Sequence, residues 1–218
     1  MRALDLYLIG TCGNRYILFS PTDVLEQCES GSDDRVRQFV AWFMRHPNRV
    51  VAWVGRVLNA GHGYYKRLED RIDPQERVLK AMNCSGQMRI YFAPGRDAAK
   101  MEERFEDLLR RQRWKHVFWI SIDTVVCGVV VAFTPILGPI PGPNIFFYFP
   151  FLRWLSHYRA IRGAAAALRS RGLEFKSLPE LGGLEENLQT SRFDHNAIRM
   201  MAERLKIRGL EQFLERMV

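Results

Sequence analysis

The chain has 218 residues, 47% hydrophobic and 26% charged, with a formal net charge of +8. That is enough for one sizeable domain or two small ones, and the composition argues against disorder. The basic excess suits an anionic partner, phospholipid or nucleic acid. Cys12, Cys28, Cys84 and Cys127 lie far apart with no CxxC or Cys/His spacing, so they read as isolated buried thiols. No disulfide framework, zinc site or other cofactor is expected.

Met1 to Tyr7 carries Asp5 and resembles neither a signal sequence nor an Arg/Ser-rich transit peptide. Leu4, Leu6 and Leu8 alternate with Ala3, Asp5 and Tyr7, the period of a half-buried strand. Thr11 to Asn14 supplies a turn into a second β-rich run, Arg15 to Phe19. Asp33 and Asp34 can cap a helix burying Val36, Phe39, Val40 and Phe43, stopped by Pro47. Asn48 precedes a second helix, broken at Gly61-His62-Gly63. Asp73-Pro74 starts another over 74–82. Met88, Ile90 and Phe92 alternate as a third strand that pairs with the hairpin. Asp97 opens a helix with Met101, Phe105, Leu108 and Leu109 on its apolar side. Ser177 to Thr190 reads as a connector rich in Gly, Pro and Glu, followed by a helix capped at Asp194 and a short one with Leu210, Phe213, Leu214 and Met217.

Between Val117 and Leu152 the only charged residue is Asp123, and Pro135 to Asn144 is a run of breakers that no helix can cross. Val117 to Thr134 would measure about 27 Å as a helix, near the thickness of a hydrocarbon core. Basic residues stand at both ends. The expected architecture is therefore mainly α with a small N-terminal antiparallel β element, an α+β class, plus a central membrane-inserted helical hairpin, full or re-entrant. The corresponding division is an N-terminal α+β domain over 1–115, a Pro/Gly-tipped hairpin with a basic amphipathic second leg over 116–170, and a connector with a C-terminal helical pair over 171–218.

Asp123 is the candidate proton or cation site, since an acid at membrane depth needs a partner or a wet cavity. Its plainer reading is an ion pair with Lys115 or Arg153. His116 and His157 sit at the feet of the two legs, where the hairpin could bring them together as a pH-sensitive interface. Pro139, Pro141, Gly142, Pro143 and Asn144 form the hairpin turn. Arg111, Arg113, Lys115, Arg153, Arg159 and Arg162 are candidate contacts to lipid headgroups.

The run Leu137-Gly-Pro-Ile-Pro-Gly-Pro-Asn-Ile-Phe-Phe147, followed by Ser156-His157-Tyr158-Arg159-Ala160, resembles the mitochondrial K⁺–H⁺ exchange-related family. The likeness extends back to Lys115-His116 and the opening strand, and forward to the closing Leu210-Glu211 helix. It implies a part in potassium–proton exchange and volume homeostasis, with K⁺ and H⁺ as partners. It transfers no catalytic residue. It also implies a mitochondrial inner membrane, while the unremarkable N-terminus leaves a bacterial inner membrane open.

One hairpin cannot enclose an ion pathway, so the leading expectation is a component or regulator of antiport, acting as a homo-oligomer or beside a transporter partner. The alternative is a peripheral or monotopic structural protein that binds anionic lipid without transport. A nucleic-acid-binding domain would share the net charge, but no RNP, zinc-finger or glycine-loop pattern supports it. No GxSxG, HExxH, Walker or dinucleotide loop points to an enzyme.

Overall fold

The structure is a computed structural model. It describes residues 3–11, 15–26, 74–137, 144–170, 172–189 and 209–217, with isolated positions between 38 and 59 and between 199 and 203. The helices expected between Asp33 and Leu58, the Gly61–Gly63 break and the helix capped by Asp194 lie outside these residues, apart from those isolated positions.

Alternation in β1 (Leu4–Thr11) and a β-rich apolar run in β2 (Arg15–Phe19) make an antiparallel pair with Tyr7 opposite Phe19 and Thr11 opposite Arg15. The second alternating run, β3 (Met88–Phe92), lies parallel to β1, with Leu6 opposite Ile90. A fourth strand, β4 (Leu173–Ser177), runs parallel to β3. The order is β2-β1-β3-β4, so the expected small antiparallel element is a four-stranded mixed sheet.

Helices cover both faces. α1 (Pro74–Met82) starts on a proline, as its sequence dictates, and buries Val78, Leu79 and Met82. α2 (Ala98–Leu137) is capped by Asp97, whose Oδ1 accepts the Ala99 amide at 3.2 Å. Its 40 residues reach about 60 Å. α3 (Asn144–Arg169) returns antiparallel along it and leads into β4. One core joins Leu4, Leu6, Leu8, Met88 and Ile90 to Leu79, Met82, Phe105, Leu109, Ala160, Ala164 and Ala167. On the opposite sheet face, α4 (Pro179–Gln189) and α5 (Leu210–Met217) add Leu181, Leu184, Leu210, Phe213 and Leu214 to Ile9, Ile17 and Phe19. The stretch expected as a connector thus supplies a core helix, and the edge strand β4 leads into it.

Two glycines set helix positions. Gly163 puts α3 against the α1 backbone so closely that a Cβ would overlap the Leu79 carbonyl. Gly209, at φ +87°, turns the chain into α5 beside Thr22.

The inserted hairpin is overturned. Among the described residues no helix is long and apolar enough to cross a membrane. The charged first half of α2 runs without a break into the apolar part, and Asp123 turns inward against α3 instead of toward lipid. In α3, Arg153 follows closely on the apolar start. Cys84 is exposed and Cys127 partly buried, so Cys84 departs from the buried-thiol expectation; Cys12 and Cys28 lie outside the described residues.

Candidate functional site: a buried histidine–carboxylate cluster

The inward stripe of α2 changes chemistry along its length. Met101, Phe105 and Leu109 pack on the sheet, and the same stripe then carries half-buried Gln112 and buried His116 and Asp123. α1 contributes Glu76. α3 contributes Arg153, Ser156 and His157, with His157 just ahead of the Ala160, Ala164 and Ala167 stripe that meets the core. Three helices therefore converge on a polar cluster beyond the edge of the hydrophobic core.

The two histidine rings face each other, with Nδ1 of His116 2.9 Å from Nδ1 of His157. That contact has room for one proton, so one ring donates and the other accepts. His157 Nδ1 also lies 3.8 Å from Glu76 Oε2, and its Nε2 lies 3.7 Å from Asp123 Oδ2. The other Glu76 oxygen, Oε1, holds Lys80 Nζ at 3.0 Å and accepts the Ser156 hydroxyl. Arg153 Nε stands 3.6 Å from Asp123 Oδ2 and 3.4 Å from His157 Nε2, while its guanidinium lies 4.6 Å from the centroid of the Trp119 ring. Asp123 Oδ2 is buried and has no hydrogen-bond partner among the described residues. Gln112 Nε2 donates to Gln75 Oε1 at 2.7 Å beside the cluster.

Burial shapes the ionisation of these groups. It depresses the His157 pKa, with Glu76 and Asp123 opposing and His116 and Arg153 reinforcing the effect. It raises the Asp123 carboxyl against the pull of Arg153 and His157. Burial would raise Glu76 as well, but Lys80 and the Ser156 hydrogen bond outweigh it and hold that carboxyl low. The result is an ionised Glu76 carboxylate facing a His157 imidazole biased toward the neutral form. Neutral imidazole and carboxylate are ligand chemistry, and Glu76, His116 and His157 bring ligand-type atoms within 4.8 Å of one another.

The structure brings together Asp123, His116 and His157, and it buries the histidines to 1% and 5% exposure, inside a helix contact instead of at an interface. Arg153, offered as a headgroup contact, is instead turned toward Asp123 and Trp119. Arg111, Arg113, Lys115 and Arg162 are exposed, and Arg159 is half-buried. Pro139, Pro141, Gly142 and Pro143 lie outside the described residues, and Asn144 opens α3. Glu76, Lys80 and Ser156 had no sequence signal. Their membership depends on where α1 docks.

The geometry defines an α+β protein whose long helical hairpin carries a buried histidine–carboxylate cluster. A family model described as mitochondrial K⁺–H⁺ exchange-related matches residues 52–169, and the chain belongs to that family. The match takes in α1, β3, α2 and α3, and so every residue of the cluster. No curated protein and no solved structure matches the chain.

Proposed function

We propose that this protein is a regulatory component of potassium–proton exchange that works against the anionic surface of a mitochondrial membrane. Family membership supplies the link to exchange. The observation that carries the surface role is an exposed apolar stripe on α2: Trp114, Phe118, Ile122, Val125 and Val129, of which Trp114, Phe118 and Val125 are 73%, 63% and 66% exposed. These positions recur every three or four residues and so share one helix face. Exposed Arg111 and Lys115 continue that face toward the α2 N-terminus. An apolar strip ending in a tryptophan and basic side chains suits the boundary of an anionic bilayer. The role is non-enzymatic, and the ions move through a partner on which this protein acts.

Flotation with phosphatidylcholine vesicles, with and without cardiolipin, tests the surface. The full chain should float with the anionic vesicles, and a Phe118→Ser, Val125→Ser double variant should stay behind. Failure of the wild type to float removes the lipid surface. Swelling of protein-depleted mitochondria in potassium acetate tests the link to exchange. Depletion should slow swelling, and the wild type but not the double variant should restore it. Flotation without any effect on swelling would leave a lipid-binding structural protein.

A further inference from the structure

We propose that Glu76, His116 and His157 form a binding site for a divalent transition-metal ion of the zinc type. This goes beyond the surface role and stands on separate residues. The donors come from three different helices, all three side chains are buried, and their ligand-type atoms lie within 4.8 Å of one another. Donors about 2.1 Å from zinc at tetrahedral angles sit about 3.4 Å apart. The 2.9 Å between the two Nδ1 atoms and the 3.8 Å from His157 Nδ1 to Glu76 Oε2 bracket that spacing. Small rotamer adjustments would seat an ion.

The surroundings assign each atom. Glu76 Oε1 is occupied by Lys80 and Ser156, which leaves Oε2 on the histidine side as the ligand. A metal on His157 Nδ1 fixes the hydrogen on Nε2. That N–H then points at Asp123 Oδ2, the buried oxygen 3.7 Å away that otherwise has no hydrogen bond among the described residues. A carboxylate behind a ligating imidazole is the usual means of orienting the ring and raising its basicity. Arg153 Nε, now 3.4 Å from His157 Nε2, would then serve Asp123 alone. Two nitrogens and one carboxylate oxygen suit zinc and cobalt. K⁺, Mg²⁺ and Ca²⁺ prefer shells made of oxygen. Three protein donors leave a fourth position for water or an exogenous ligand.

The test uses the full chain stripped with chelator and titrated with Co²⁺ and Zn²⁺. The expected result is one tight equivalent, a tetrahedral Co²⁺ absorption band displaced by Zn²⁺, and a zinc absorption-edge spectrum fitted by two imidazoles. Glu76→Gln and His157→Gln should each abolish the tight equivalent. Asp123→Asn, which keeps size and shape, should weaken binding about tenfold. The proposal is overturned if the wild type binds no equivalent, if the bound zinc shows no imidazole, or if tight binding survives both Glu76→Gln and His157→Gln. Circular dichroism of each variant separates lost ligation from lost fold. The wild-type spectra decide the matter even if both variants unfold. Vesicle flotation is read independently, so either reading can fail alone.

Discussion

Two buried polar assemblies sit on opposite sides of the sheet, and they differ in how completely they are satisfied. On the α4 side, Glu185 accepts the Gly10 amide at 2.6 Å with one oxygen and holds Arg96 with the other. Arg96 in turn donates to the Tyr16 hydroxyl and lies over that ring. Each carboxylate oxygen has its donor, and the clasp ties α4 to β1, β2 and the loop after β3. On the hairpin side, the histidine–carboxylate cluster leaves Asp123 Oδ2 without a hydrogen bond among the described residues and presses two imidazoles and a carboxylate together. Buried polar groups cost free energy when their partners are incomplete. A fold can use a closed clasp for stability alone, whereas an incompletely satisfied cluster is a candidate for chemistry.

The contrast breaks most decisively where α1 and α3, two of the three helices of the cluster, are held together. Gly163→Val places side-chain carbon on the Leu79 carbonyl, and no rotamer can relieve a clash with backbone. It should cost at least about 3 kcal/mol, the upper range of overpacking, read as a large fall in the urea midpoint. A wild-type midpoint would mean that α1 and α3 do not meet at this glycine. Next in size is Glu185→Ala. Removing one partner of a buried pair costs about 3–5 kcal/mol, and the Gly10 amide loses its acceptor as well. A loss under about 1 kcal/mol, the value of a surface pair, would deny the clasp its structural role.

Much of this was legible from side-chain periodicity. The alternation in Leu4–Leu8 and Met88–Phe92 and the β-rich run Arg15–Phe19 marked three strands. β4 escaped because it is an edge strand with only Leu173 and Phe175 half-buried and its other residues exposed, between Gly172 and Pro179. α4 carries Leu181, Leu184 and Leu188 at helical spacing, but Gly182 and Gly183 masked it. The meeting of His116 and His157 follows from folding two apolar legs at one proline-rich break. Glu76 was invisible because its place depends on α1 docking at Gly163, a tertiary contact with no local signature. The membrane reading failed because the inward stripe of Met101, Phe105 and Leu109 continues through His116 and Asp123. One uninterrupted helix therefore shares its length between a sheet-packed end and a polar cluster.

Smaller effects sharpen the comparison by pH. Burial raises the Glu185 carboxyl, with the Gly10 amide and Arg96 opposing. The folded state then binds that proton more tightly than the unfolded state. The resulting stability is full below the ordinary carboxylate range and is lost as pH rises through the raised value. The advantage of wild type over Glu185→Gln should accordingly be greater at pH 4 than at pH 7 by urea titration. An advantage that grows with pH would reverse the sign and make the Arg96 pairing dominant.

The smallest effect is expected at the cluster itself. Asp123→Asn keeps the shape of the side chain and removes a charge whose Oδ2 has no hydrogen bond among the described residues. Arg153 is left without that carboxylate, but it is partly exposed and rests on Trp119. The change in stability should stay within about 1 kcal/mol in metal-free buffer. The same exchange in the clasp, Glu185→Gln, sets an amide N–H donor against the Gly10 amide or Arg96 and should cost distinctly more. If Asp123→Asn unfolds the protein as readily, the cluster is a second clasp, and its open valence is structural. If stability holds while zinc affinity falls, Asp123 acts through His157, and the two sides of the sheet divide stability from binding.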